Sequence, residues 1–169
     1  MKLYPDMYRK NILDICYDKL KKNNINTLVF DFDNTIIESK NYQVKKEFMS
    51  LFKNLKKSFN VVILSNTINK KHIEVVCKML DIDYIYFGCK PFSLGFKKIL
   101  KMYNIKNKEM AIIGDQLFTD IKGAKRFGCY SILVDPINND EHIFTKINRL
   151  RELRLQKKMK DFERGKYYG

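Results

Sequence analysis

The chain has 169 residues, of which 45% are hydrophobic and 13% aromatic. That length and composition suffice to bury the core of one folded domain, which excludes a disordered chain. The formal net charge of +14 would attract phosphates, nucleic acid or an anionic membrane surface. A composition rich in Lys and Asn would give the same charge to any protein, so the charge alone does not choose among these partners.

The cysteines do not form a metal-binding or redox motif. Cys16, Cys77, Cys89 and Cys129 include no Cys-x-x-Cys pair, so zinc ribbons and redox dithiols are not favoured. No apolar run approaches the ~20 residues that span a bilayer, and the first residues lack the apolar core of a secretory signal. Free thiols without an export signal predict a cytoplasmic protein in which the cysteines fill the core.

Short apolar runs alternate with helical patterns along the chain. A helical stripe over residues 8–22 predicts an N-terminal helical extension within 1–25. The runs that follow predict strands near 27–30, 61–64, 84–87, 110–113 and 131–134, and helices near 44–55, 73–80, 92–103 and 117–127. Strict alternation predicts a three-layer α/β fold, with a five-stranded parallel sheet between helices. We expect one domain over 1–169 that ends in a basic helix over 143–169.

Polar residues follow four of the predicted strands at the point where each strand ends. They are Asp31 and Asp33, Ser65 and Asn66, Lys90, and Gly114 with Asp115. In a parallel sheet these strand ends share the carboxyl edge, where open α/β folds bind ligands. The sequence therefore predicts that carboxylates, a hydroxyl and an ammonium converge on one crevice.

The chemistry of this set points to phosphoryl transfer. Clustered acids persist around a cation, and carboxylate oxygens favour Mg²⁺. Together with Lys90, such a cation would neutralise an incoming phosphate. One carboxylate can attack phosphorus, and a second carboxylate two residues on can protonate the leaving alkoxide and then activate water.

These residues resemble the motifs of the haloacid dehalogenase (HAD) superfamily. The four motifs occur in order at the strand ends: Asp31-Phe32-Asp33-Asn34-Thr35-Ile36, Ser65-Asn66, Lys90-Pro91 and Gly114-Asp115-Gln116-Leu117-Phe118-Thr119-Asp120. A single Asp-x-Asp-x-Thr run occurs often in turns, but four ordered motifs are specific. The resemblance implies an HAD-like fold and a hydrolase.

Further segments are similar to the YqeG-type phosphatases, a capless class III branch that includes relatives acting on phosphatidylglycerophosphate. The similarity extends from about residue 3 to residue 155 and includes Leu3-Tyr4-Pro5-Asp6, Leu133-Val134-x-Pro136 and Thr145-Lys146-x-Asn148-Arg149. It implies a Mg²⁺-dependent phosphomonoesterase, with phosphatidylglycerophosphate as the first candidate substrate.

The resemblance also implies a role for each acid. Asp31 would be the nucleophile and a metal ligand, and Asp33 the general acid and base whose backbone carbonyl also meets the metal. Asp115 would be the third protein ligand, while Asp120 would support the site. Dehalogenase relatives lack the second acid and transport ATPases carry Thr there, so Asp33 favours a phosphatase.

The remaining motif residues are expected to bind the phosphate group. By the same resemblance Thr35, Ser65 and the backbone of Asn66 would hold phosphate oxygens, and Lys90 would stabilise the transferring group. Only 29 residues (36–64) and 24 residues (66–89) separate the motifs, which leaves no room for a cap domain. An uncovered crevice fits a substrate whose bulk stays outside, such as a lipid head group.

Several alternatives stay open at the level of sequence. The open site and the charge would equally serve a nucleotide, a polynucleotide end or a phosphoprotein. A non-catalytic basic module that binds nucleic acid or acidic partners is disfavoured, because every acid needed for turnover is present and no nucleic-acid motif is found. The basic helix over 143–169 would contact either solvent or an anionic membrane. His72 and His142 have no partner at ligand spacing, and the oligomeric state cannot be read.

Overall fold

The structure is a computed structural model that describes residues 3–39 and 41–138. The described chain forms a six-stranded, wholly parallel sheet in the order β1-β6-β5-β2-β3-β4. The strands are β1 (Met7–Arg9), β2 (Thr27–Phe30), β3 (Asn60–Leu64), β4 (Asp83–Ile85), β5 (Met110–Gly114) and β6 (Tyr130–Val134). The α-helices are α1 (Tyr17–Lys22), α2 (Lys46–Leu55), α3 (Lys70–Leu80), α4 (Leu94–Tyr103) and α5 (Lys122–Phe127).

The sheet has one strand more than the five predicted, and the additional strand is β1. It pairs with β6 in parallel, with Tyr8 opposite Leu133. The predicted helical extension over 1–25 is therefore wrong in its first part, since Tyr17–Lys22 is the only α-helix among the described residues 3–25. A strand, a 3₁₀ turn at Ile12–Asp14 and a short helix all direct apolar residues inward, and together they imitate a helical stripe.

Helices cover both faces of the sheet, as the alternating pattern predicted. Strand β2 is buried at every position, because its alternate side chains enter different cores. Leu28 and Phe30 pack in the larger core with residues of α1, α2 and α3. Val29 packs in the second core with residues of α4 and α5. This arrangement confirms the three-layer, HAD-like fold.

The connections place loops, not a lid, at the carboxyl edge. Among the described residues, a loop and α2 lie between β2 and β3, and α3 joins β3 to β4. The predicted helix over 117–127 divides into a π-helical turn at Leu117–Ile121 and the α-helix α5. Such π-helical turns often occur at functional sites. No helix of the described ranges is long and apolar enough to cross a membrane, and the predicted basic helix over 143–169 lies outside those ranges.

Candidate active site

The ends of β2 and β5 place two buried aspartates side by side. The Asp31 backbone N–H donates to the Ile113 carbonyl at 2.8 Å, which continues the ladder between β2 and β5 to the first motif residue. Asp31 is 7% exposed and Asp115 is fully buried. A third acid, Asp120, comes from the π-helical turn and is also fully buried.

Lys90 connects this group from the loop after β4. Its ammonium donates to Asp31 Oδ1 and, at 2.6 Å, to Asp120 Oδ1. The lysine side chain is only 3% exposed, so these ion pairs lie in a low-dielectric environment. Burial lowers the pKa of Lys90, but the charges of Asp120 and Asp31 more than offset this and raise it, so the ammonium stays charged.

One ammonium does not balance the charge of the acids around it. Burial raises the pKa of Asp31 to about 7; Lys90 opposes this rise, whereas Asp120 and the nearby Asp33 add to it. With Asp115 also present, three buried carboxyl groups share this space with one ammonium, which is an excess of negative charge when all three are ionised. Such an excess of negative charge requires a further cation or protonation of an acid.

The geometry of the acids fits a divalent metal ion. One carboxylate oxygen from each of Asp31, Asp115 and Asp120 lies within 4.8 Å of the other two. An all-oxygen donor set of this size is what Mg²⁺ takes. The side chain of Asp33 does not belong to this trio and is half-buried. We therefore expect the Asp120 carboxylate to take part in binding the metal ion, and not only to support the other ligands.

Asp120 is held in place by backbone and side-chain donors. Its Oδ2 accepts from the Gln116 N–H at 3.2 Å and from the Thr119 hydroxyl at 3.3 Å. A Cβ atom at Gly114 would stand 2.3 Å from Asp120 Cγ, so only glycine leaves room for this carboxylate. The glycine of the fourth motif thus provides the space that the Asp120 carboxylate occupies.

The second and third motifs are clasped to each other. The Asn66 side chain donates to the Lys90 carbonyl at 2.9 Å and accepts from the Lys90 N–H at 2.7 Å. Asn66 therefore positions the Lys90 backbone, a role that the sequence did not predict. Ser65 is buried, and its Oγ accepts from the Thr67 N–H at 3.0 Å. Thr35 is buried as well, and among the described residues its hydroxyl has no hydrogen-bond partner.

His72 lies near the first motif and makes contacts that the sequence did not predict. It is buried on α3, and its Nε2–H donates to the Asn41 carbonyl at 2.6 Å. Its ring lies 5.0 Å from the Phe32 ring and 4.6 Å from the Tyr42 ring. His72 thus ties the loop after the first motif to the residue between Asp31 and Asp33. The only sequence signal was its place directly before the predicted helix near 73–80.

Comparisons with known proteins match most of the chain to phosphatases. Residues 2–138 match the family model described as mitochondrial PGP phosphatase. The probable phosphatase YqeG of Bacillus subtilis (strain 168) is 32% identical over 157 residues, which cover 92% of this chain and 91% of YqeG.

Solved structures resemble the fold at low sequence identity. An uncharacterised protein from Listeria monocytogenes serotype 4b superposes with a TM-score of 0.56 at 21% identity, covering 70% of this chain and 84% of that protein. A putative HAD family hydrolase from Streptomyces avermitilis MA-4680 has a TM-score of 0.48 at 18% identity, covering 67% and 78% of the two chains.

Proposed function

This chain belongs to the mitochondrial PGP phosphatase family and is an HAD-type phosphoric monoester hydrolase, and from that premise we propose that it is Mg²⁺-dependent and acts on phosphatidylglycerophosphate. The observation that carries the proposal is the buried trio of carboxylates, two of which pair with the Lys90 ammonium. The family description supports the choice of substrate. A non-catalytic binding module is no longer an alternative, and the cytoplasmic location stays a prediction.

We propose that Asp31 begins the reaction as a nucleophile. One of its carboxylate oxygens attacks the phosphorus atom, and the bond from phosphorus to the leaving alkoxide breaks. Asp33 donates its proton to that alkoxide, which leaves as an alcohol. The product of this half-reaction is an aspartyl phosphate on Asp31.

Asp33 then takes part in the second half-reaction. Its carboxylate accepts a proton from water, whose oxygen attacks the phosphorus atom and releases inorganic phosphate. Asp31 is regenerated as a carboxylate, and Asp33 is again protonated for the next turnover. The first step needs Asp31 as a carboxylate although burial raises its pKa, so the positive charges of Lys90 and of a bound Mg²⁺ would keep it ionised.

Lys90 and the neutral donors would bind the phosphate oxygens. The Lys90 ammonium lies against the nucleophile, where it can stabilise the charge of the transferring group. Thr35, Ser65 and the Asn66 backbone follow the same strands and supply neutral donors. Mg²⁺ held by Asp31, Asp115 and the backbone carbonyl of Asp33, with Asp120 beside them, would supply the remaining positive charge.

The test measures phosphate release from phosphatidylglycerophosphate in mixed micelles and from soluble sugar phosphates. With Mg²⁺ the lipid should be the better substrate by a wide margin, and EDTA should abolish turnover. Asp31→Asn should lower kcat/KM by at least about 10³-fold, because the nucleophile is lost. Equal background in all three conditions would contradict the mechanism, and a preference for sugar phosphates would contradict the substrate.

A further inference from the structure

The most exposed large apolar side chains of the described chain lie on the loop after β3, on the loop after β4 and on the first residue of α4. Ile68 is 82% exposed, Phe92 63%, Phe87 59% and Leu94 53%. Ile68 follows β3, and the other three follow β4. We call these four residues the apolar rim. Single exposed apolar residues are normal, but several on adjoining loops at one edge of a domain mark an interaction surface.

Backbone hydrogen bonds join the two loops into one surface. The Phe87 N–H donates to the Thr67 carbonyl at 3.0 Å, and the Gly88 N–H donates to the Ser65 carbonyl at 2.7 Å. The Asn66 clasp on Lys90 is a third connection. The rim residues are therefore held by an ordered backbone while their side chains face solvent.

The rim also borders the site directly. Phe92 follows Lys90 by two residues, and its N–H donates to the Cys89 carbonyl at 2.8 Å. Lys90 contacts Asp31 at its other end. A surface that covers the rim would consequently lie at the edge of the sheet that carries Asp31.

The two segments that carry the rim contain only basic charged residues. Residues 65–73 and 84–98 contain no Asp or Glu, while the exposed residues there include Lys70, Lys71, Lys97 and Lys98. Lys70 Nζ lies 5.8 Å from the centre of the Tyr86 ring, and the Arg126 guanidinium lies 6.0 Å from the centre of the Phe92 ring. Cations therefore surround the exposed apolar groups.

A partner must match both features at once. Apolar groups encircled by Lys and Arg are complementary to the interface of an anionic bilayer, where acyl chains lie just below phosphate groups. Single-stranded nucleic acid is a poorer match, because base stacking needs aromatic side chains and Ile68 and Leu94 are aliphatic. The combination thus favours a lipid surface over a polynucleotide.

We propose that the apolar rim docks this enzyme on anionic membranes, with the active site facing the lipid phosphates. The rim side chains enter the interface, and the surrounding lysines contact the head groups. This inference deepens the proposed function, on which it rests, by assigning the surface that brings a membrane-borne phosphate ester to Asp31. Docking through these loops requires no transmembrane helix.

The experiment compares two double variants of the full chain by vesicle sedimentation. The rim variant carries Phe87→Asn and Phe92→Ser; Asn is chosen because Phe87 has a φ of 50°, which Asn tolerates. The control variant carries Val75→Ser and Met102→Ser, which replace exposed apolar residues on α3 and α4 (40% and 49% exposed). Vesicles contain phosphatidylcholine alone or with 30% phosphatidylglycerol, and p-nitrophenyl phosphate reports the soluble activity.

We expect the wild type and the control variant to bind the anionic vesicles, with binding weakened by salt. The rim variant should bind at least about tenfold more weakly, because it loses two aromatic side chains that would be buried in the bilayer interface. Its kcat/KM on p-nitrophenyl phosphate should equal that of the wild type. Residues 139–169 are the same in all three proteins, so any difference in binding comes from the replaced side chains.

Each contrary result has a definite meaning. Equal vesicle binding by the rim variant and the wild type would overturn the docking proposal, as would no binding by the wild type. Rim-dependent binding to an oligonucleotide, without rim-dependent binding to vesicles, would assign the surface to a polynucleotide. If rim-dependent docking is found but phosphatidylglycerophosphate is not hydrolysed, docking is supported and the proposed substrate is wrong.

Discussion

Two lysine–carboxylate networks in this molecule have similar ion-pair distances but differ in burial and in the balance of charge. Lys90 pairs with Asp31 and with Asp120, with 3% of its side chain exposed. Lys125 pairs with Asp6, and these side chains are 23% and 33% exposed. The first network contains more acids than cations, whereas the second has one of each.

The second network is complete within the protein. Asp6 Oδ2 accepts from the backbone N–H of Ser131 at 2.9 Å and from its hydroxyl at 2.7 Å. This network fastens the residue before β1 to β6. The buried network at the active site, by contrast, does not stabilise the fold by itself. Three acids near one ammonium lower the stability of the folded state unless something else binds there.

The largest expected effect is that of Lys90→Met. Removing the ammonium leaves the buried acids uncompensated, which should lower the free energy of unfolding by about 3–5 kcal/mol in EDTA. It should also lower kcat by at least about 10²-fold, since charge stabilisation is lost. Chemical denaturation with and without Mg²⁺ checks this, and Mg²⁺ should restore part of the stability. An unchanged denaturation midpoint in EDTA would contradict the prediction that the uncompensated acids destabilise the folded state.

Gly114→Ala should disturb the same network without changing its charge. The new Cβ would collide with the Asp120 carboxylate, and such overpacking costs about 1–3 kcal/mol. The control is the same change in an Asp120→Gly background, where all three colliding atoms of Asp120 (Cβ, Cγ and Oδ2) are absent and the cost should largely disappear. Equal costs in the two backgrounds would show that the clash lies elsewhere.

The stability of the metal-free protein should depend on pH through Asp31. Its pKa is raised to about 7 in the folded state, mainly by burial, and is about 4 when unfolded. Between pH 4 and 7 the folded state therefore binds more protons than the unfolded state. Stability should fall as pH rises through this window, by up to about 1.4 kcal/mol per pH unit.

The control for this prediction is Asp31→Asn, which should remove that part of the pH dependence. Denaturation in EDTA at pH 4.5, 5.5 and 6.5 measures the slope directly. A slope that is the same in the variant and the wild type would show that another group titrates.

The smallest effect is expected for Lys125→Met. Its ion pair is partly exposed, and such pairs contribute about 0–1 kcal/mol. Activity on soluble substrates should not change, because Lys125 lies outside the catalytic cluster. A loss as large as that for Lys90→Met would remove the distinction between the two networks.

The sequence predicted the parts of the fold and site that depend on local patterns. The buried strand before Asp31 and the four strand-end motifs could be read because runs of apolar residues and turn chemistry are local. The strand Met7–Arg9 could not, since three residues become a strand only by pairing with β6, some 125 positions away. The π-helical turn that carries Asp120 was likewise hidden in a helical pattern.

The contacts between motifs were also beyond sequence reasoning. Nothing in the run Ser65-Asn66 indicates that the Asn66 side chain binds the Lys90 backbone. His72 was expected to be an ordinary surface or core residue, and its contact with the Asn41 carbonyl depends on a loop that closes over α3. Both contacts depend on tertiary packing across 24 and 31 residues of chain.

The residues proposed for catalysis and those proposed for docking lie at different distances from the strand ends. The proposed catalytic and metal-binding residues Asp31 and Asp115 directly follow the last residues of β2 and β5, while highly exposed residues such as Ile68 and Phe87 lie further out on the loops. The outer residues contribute little to the cores, so they can change without weakening the scaffold. A domain built in this way can evolve a different docking surface while its catalytic residues stay the same.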